Sequence, residues 1–141
     1  MDDARRGISG KHVAAVVVVL AILVGGYFAW QQLMKPPTQP SVDEGRAVVE
    51  AFLADVRAGQ AGEAWDAATT EFKSIEGRES FIRKAKSTPI LKAALQFNSS
   101  QQVTVQNQPR SEYLYQSPDA KMVRVLVGYE GGAWKVDRLT L

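Results

Sequence analysis

The 141-residue chain contains no cysteine and one histidine, His12. Without cysteine there can be no disulfide, thiolate metal site, cysteine nucleophile or lipidated cysteine anchor. With the lone histidine near the amino terminus, the rest of the chain has no histidine-based catalysis, Ser-His-Asp arrangement or histidine-ligated zinc. A basic surplus is also lacking once the charge is divided. Of 17 basic and 15 acidic residues, Arg5, Arg6, Lys11, Lys35, Asp2 and Asp3 precede residue 42, which leaves 13 of each sign beyond it. A nucleic-acid binder needs a basic face, so no nucleic-acid partner is expected. Phosphate-binding glycine loops, repeats and low-complexity tracts are missing too, and no cofactor or metal is expected.

What the chain does have is an uninterrupted apolar run at residues 13–30, VAAVVVVLAILVGGYFAW. As a helix these residues reach roughly 27 Å, against a hydrocarbon core about 30 Å thick. Gln31, Gln32, Leu33 and Met34 extend the helix into the headgroup layer. Backbone amides in lipid must pair within their own segment, so residues 13–34 are expected to be a single transmembrane helix. Arg5, Arg6 and Lys11 before the span outweigh Lys35 after it, so residues 1–12 are expected to form a cytoplasmic tail. Residues 35–141 are then expected in the periplasm or another extracytoplasmic space. A cleaved signal peptide is the rival reading. It is disfavoured by the length of the run and by Tyr27-Phe28 directly after Val24-Gly25-Gly26. Ala21, Gly25 and Ala29, four apart, form a small-residue stripe of the kind that brings helices together, a spacing also frequent in solitary spans. Residues 35–41, KPPTQPS, are expected to be a short extended linker that keeps the domain near the bilayer.

Residues 42–141 change period partway. Ser41 and Glu44 form a capping box ahead of a helix with Val48, Phe52 and Val56 on one side, ending at Gly59. Ala61, Ala64, Trp65 and Ala68 predict a second helix whose apolar side continues to Phe72. A third, over 78–86, turns Phe81, Ile82 and Ala85 inward, and a short helical turn is expected over 90–95. Beyond residue 96 the period becomes two. Val103 and Val105 alternate with polar residues, Tyr113 and Tyr115 flank Leu114, and Pro109 is barred from a central strand. Residues 117–120 are turn chemistry, and Gly131-Gly132 predicts a tight hairpin between strands 121–130 and 133–141. Pairing Glu130 with Ala133 sets Tyr129 opposite Trp134, Val127 opposite Val136 and Val125 opposite Arg138. Val123, Val125, Val127, Tyr129, Trp134 and Val136 then share a core face. Met122, Arg124, Leu126, Lys135, Asp137, Leu139 and Leu141 share the other. The expected fold is α+β, with three helices packed on a four-stranded curved antiparallel sheet after the transmembrane helix.

This order, with the segments VVEAFLADVRAG, AGEAWDA and GYEGGAWKVDRLTL, resembles the cone-shaped nuclear transport factor 2-like (cystatin-like) domains. More narrowly, it is similar to membrane-anchored members of that superfamily whose role is unassigned. The resemblance covers about residues 42–141. It implies a curved sheet wrapping helices around a pocket, and a sheet face often used for homodimers. Its enzymes place acid–base groups inside the cone. Here the carboxylates scatter along helix exteriors, Asp66 among them, and Asp137 is expected in a surface ion pair with Arg124, so no catalytic residue is assigned. Trp65, Phe81, Tyr113, Tyr115, Tyr129 and Trp134 are candidates to line the pocket or simply to fill the core. Arg78, Arg83, Lys84, Lys86 and Lys92 suit either anionic headgroups or a solvated face. Asn98-Ser99-Ser100 is a glycosylation sequon, meaningful only in a eukaryotic secretory protein.

The expected function is that of a non-enzymatic, single-pass protein whose exported domain binds a membrane-protein partner or itself as a homodimer. Met122, Leu126, Leu139 and Leu141 are the candidate interface. The alternative is binding of a small apolar ligand or lipid in the cone pocket.

Overall fold

The computed structural model describes residues 26–27 and 39–141. The chain divides into two units, Met1–Pro36 and Pro37–Leu141. Gly26 and Tyr27 are the described residues of the first, and both are helical. The expected tail, the membrane span with its small-residue stripe and most of the linker lie outside the described residues. No helix among the described residues is long and apolar enough to cross a membrane.

The second unit is α+β. Four helices, α1 (Val42–Arg57), α2 (Ala61–Ala67), α3 (Thr70–Ile75) and α4 (Arg78–Ser87), lead through a 3₁₀ turn at Pro89–Lys92 into β1 (Gln96–Val105), β2 (Gln108–Gln116), β3 (Met122–Glu130) and β4 (Ala133–Thr140). The strands form one antiparallel sheet in the order β1-β2-β3-β4. The capping box at α1 forms as expected: the Glu44 N–H donates to Ser41 Oγ at 3.2 Å and the Ser41 N–H donates to Glu44 Oε2 at 3.0 Å. These bonds to Ser41 hold the Glu44 carboxyl below its ordinary pKa. The buried side of α1 is Gly45, Val49, Phe52, Leu53 and Val56. A Cβ at Gly45 would overlap the Tyr113 phenol, whose hydroxyl donates to the Ser41 carbonyl at 3.4 Å.

The expected second helix is instead two. Ala68 is extended, and the Thr69 N–H donates to the Val136 carbonyl of β4 at 3.0 Å. Thr69 Oγ1 then accepts the Phe72 N–H at 3.1 Å and caps α3. A backbone bond to the sheet edge and a new cap replace helical continuation. Phe72 still reaches the core, where it meets Phe52 and Phe81 with ring centroids 5.3–5.8 Å apart. Tyr113, Val123, Val125, Val127 and Val136 complete this cluster from the sheet.

Gly131 and Gly132 sit at φ +63° and +82°, the left-handed pair that a two-residue hairpin requires. The pairs Glu130–Ala133, Tyr129–Trp134 and Val127–Val136 follow the expected register. It then shifts: Leu126 faces Arg138 and Val125 faces Leu139, so the expected Val125–Arg138 pair does not form. Asp137 is the extra residue of a β-bulge, which local alternation cannot anticipate. The bulge turns Leu139 from the outer face to the core side, where it packs against the buried cluster. The other hairpin turns at Gln106 and Asn107, with φ +50° and +61°. Pro109 lies within β2, opposite Thr104, whereas β3 pairs with β2 only from Ser111 onward. Its missing N–H therefore removes no bond to β3.

Candidate functional site

The aromatic residues singled out by sequence do not converge on one pocket. Phe81 and Tyr113 are each 1% exposed and belong to the core. Trp65 is half-buried, donates its indole N–H to the Glu76 carbonyl at 2.7 Å and lies beneath the Lys73 ammonium. Tyr129 and Trp134 meet edge to face across the hairpin, centroids 4.9 Å apart. Trp134 lines a groove of about 220 Å³ with Val48, Ala51, Ala64, Ala67 and Val136. Phe81 instead lines a cavity of about 20 Å³ with Phe72, Ile75, Glu76, Lys84 and Arg138, room for about one water. Burial opposes ionisation of Glu76, but hydrogen bonds from Lys84 at 3.0 Å and Ser80 at 2.9 Å prevail and hold its carboxyl below the usual range.

Of the expected interface residues, Leu126 is only 7% exposed, Met122 is half-buried, Leu139 packs on the core, and Leu141 is exposed. Asp137 is not in a surface pair with Arg124. It is 3% exposed, accepts from Thr69 Oγ1 at 2.8 Å and lies 3.4 Å from Arg110 Nε. The reach from β2 to β4 passes over Gly128 on β3, where an added Cβ would stand 3.0 Å from Asp137 Oδ1. Asp66 is exposed and receives both Arg78 Nε and Nη2, at 3.3 and 3.2 Å, joining α2 to α4. Of the basic run, Lys84 pairs with Glu76 while Arg83, Lys86 and Lys92 face solvent. Asn98 is exposed at an irregularity in β1.

A different place has the features of a binding site. Glu50, Leu53, Ala54 and Arg57 from α1, Leu91, Ala93 and Leu95 from the 3₁₀ turn and the segment after it, and Tyr115 from β2 line a pocket of about 280 Å³. That is near the lower end of the ~300–1,000 Å³ typical of small-molecule sites. The pocket lies between the last turns of α1 and the short turn after α4, with Leu53, Leu91 and Leu95 on its apolar side and Glu50 and Arg57 on its polar side.

Tyr115 lies on the core side of β2 between Phe97 and Val123, with the Phe97 ring 5.7 Å away edge to face. Its hydroxyl is buried and has no hydrogen-bond partner among the described residues. An orphaned buried hydroxyl costs about 1–3 kcal/mol. Burial, and then the Glu50 charge, push the phenol up to about 12, so it stays protonated and available as a donor at neutral pH. At the rim, Glu50 pairs with Arg46 at 2.6 Å, and the Arg46 guanidinium sits 4.8 Å over Phe97. Both partners of that pair are nearly half exposed, so solvent screens it.

The sequence marks Tyr115 as one aromatic among several. That its hydroxyl lacks a partner depends on how the 3₁₀ turn, α1 and β2 meet, which no local pattern encodes. No protein-family model and no curated protein matches this chain.

Proposed function

We propose that residues 42–141 form a non-enzymatic binding module for a small, largely apolar molecule with one hydrogen-bond-accepting oxygen, held in the Tyr115 pocket. The observation that carries this reading is the Tyr115 hydroxyl, protonated and without a partner among the described residues, in the wall of a pocket that pairs leucine side chains with Glu50 and Arg57. A ligand carbonyl, ether or carboxylate oxygen would take the proton that the folded chain leaves unused. Leu53, Leu91 and Leu95 would cover the apolar body, and Arg57 at the rim favours an oxygen-rich end. The phenol stays protonated and cannot act as a base at neutral pH, and Glu50, at the pocket wall, is paired with Arg46. Both features favour binding over turnover. In the same reading, residues 13–34 tether the module as a single span with the domain outside the cytoplasm, supported by the apolar run and the basic tail. The helix-then-meander order supports membership among the nuclear transport factor 2-like domains.

The test uses the full chain in lipid nanodiscs, with radiolabelled octanoate and methyl hexyl ketone in equilibrium dialysis against empty nanodiscs. Binding should be saturable, lost in Ala54→Trp, which fills the pocket from its exposed rim, and weakened about tenfold in Tyr115→Phe. Uptake no greater than that of empty nanodiscs, or equal in all three chains, overturns the proposal.

A further inference from the structure

The two edges of the sheet are finished differently. β4 is closed: Thr69 donates to its Val136 carbonyl, α3 packs along it, and the Asp137 bulge interrupts its ladder. β1, the opposite edge, lacks charge and proline, two of the devices that keep edges from pairing, although Gln39 touches it by accepting from Gln102 Nε2. Its ten residues, QFNSSQQVTV, include no charge and no proline. Gln101, Gln102 and Thr104 are exposed. One irregularity, between Phe97 and Ser99, limits the regular stretch to residues 99–105.

The direction of the free backbone groups follows from the hairpin. A two-residue turn at Gln106-Asn107 makes Val105–Gln108 the closing hydrogen-bonded pair, and such pairs alternate along an antiparallel ladder. Val105, Val103, Gln101 and Ser99 thus spend their N–H and C=O groups on β2. Those of Thr104, Gln102 and Ser100 point outward.

We propose that β1 pairs antiparallel with β1 of a second copy of this chain, the two-fold axis passing at Gln102. In that register Gln102 meets Gln102 of the second copy, and Ser100 meets Thr104 in both directions. All three outward positions then exchange N–H···O=C bonds with like, uncharged residues. A strand bearing charge would meet its own charge across a two-fold; this one meets none. Because β4 is closed, assembly stops at two copies and yields one eight-stranded sheet, not a fibre. A second copy is thus the occupant that this neutral, singly open edge fits. The β1 edge shares no residue with the Tyr115 pocket, and pairing there does not depend on ligand binding.

The natural absence of cysteine makes the test direct. In the full chain in membranes, Gln102→Cys should give a majority of disulfide-linked dimer under mild oxidation, since directly opposed Cα atoms about 5.5 Å apart suit a disulfide. Gln101→Cys, which would oppose Val103, should link several-fold less, and Lys86→Cys on the exposed side of α4 should remain monomeric. In detergent micelles, light scattering should show a dimer whose Kd rises at least tenfold in Gln102→Lys with the melting temperature unchanged. Equal linking at positions 102 and 86 would refute the proposal, as would a wild-type monomer at tens of micromolar or an undiminished dimer in Gln102→Lys.

Discussion

Asp137 and Tyr115 are both polar side chains buried against the same sheet, one on β4 and one on β2, and they are treated in opposite ways. Asp137 accepts from the Thr69 hydroxyl and faces the Arg110 guanidinium as its counter-ion, with Gly128 kept bare so that the reach is possible. Arg110 Nε itself makes no hydrogen bond among the described residues. The Tyr115 hydroxyl has no partner of either kind among the described residues. A buried polar group with all its partners holds a fold in one arrangement, while one without partners is a standing cost. The first belongs to the architecture: it pins α3 to the edge of β4 and fixes the bulge. The second has no architectural use for its hydroxyl, and this is why the pocket beside it reads as a site.

Breaking Asp137 should hurt most. Asp137→Ala leaves the Thr69 hydroxyl without its acceptor and the Arg110 charge without its counter-ion, and should destabilise the domain by about 4 kcal/mol in urea unfolding; a loss under 1 kcal/mol would make the network incidental. Next comes pH. Tyr115 ionises near 10 when unfolded and at about 12 when folded, so folding favours its neutral form. That contribution is whole below pH 10 and disappears as the pH climbs towards 12, a loss of up to about 3 kcal/mol. Burial raises the Tyr113 phenol in the same direction. The alkaline slope of the urea midpoint should flatten in Tyr115→Phe, and an unaltered slope would remove Tyr115 as its source. Gly128→Ala presses a methyl group towards Asp137 Oδ1 and should cost about 2 kcal/mol, largely non-additive with Asp137→Ala in a double-mutant cycle. The smallest effect has the opposite sign. Tyr115→Phe at neutral pH removes an unsatisfied hydroxyl and should stabilise the ligand-free chain by about 1 kcal/mol. Destabilisation there would mean that the hydroxyl has a partner after all, and the contrast with Asp137 would collapse.

The sequence was most informative where one residue type decides the local backbone. Ser41 with Glu44 announces the start of α1, and Gly131-Gly132 announces the hairpin and its first three facing pairs. It misled where the decision came from another part of the chain. The alanine periodicity through Ala68 is sound helical pattern, yet the Val136 carbonyl captures Thr69 and splits the helix. Strict alternation carries Leu139 to the outer face, yet the Asp137 bulge returns it to the core. Alternation also shows Tyr113 and Tyr115 as equivalent neighbours on one face. Only assembly separates them, because Tyr113 meets the Ser41 carbonyl at the start of α1 while Tyr115 meets no acceptor.

The seat of Gly45 on the Tyr113 ring has a further consequence. Sliding α1 by one residue in either direction would bring Glu44 or Arg46 onto the spot that the phenol occupies, and neither side chain fits where a bare Cα barely does. The helix therefore docks in a single notch and cannot ratchet along the sheet. Whatever pulls or twists on the residues ahead of Ser41 must either be absorbed before that notch or lift the whole first turn out of it.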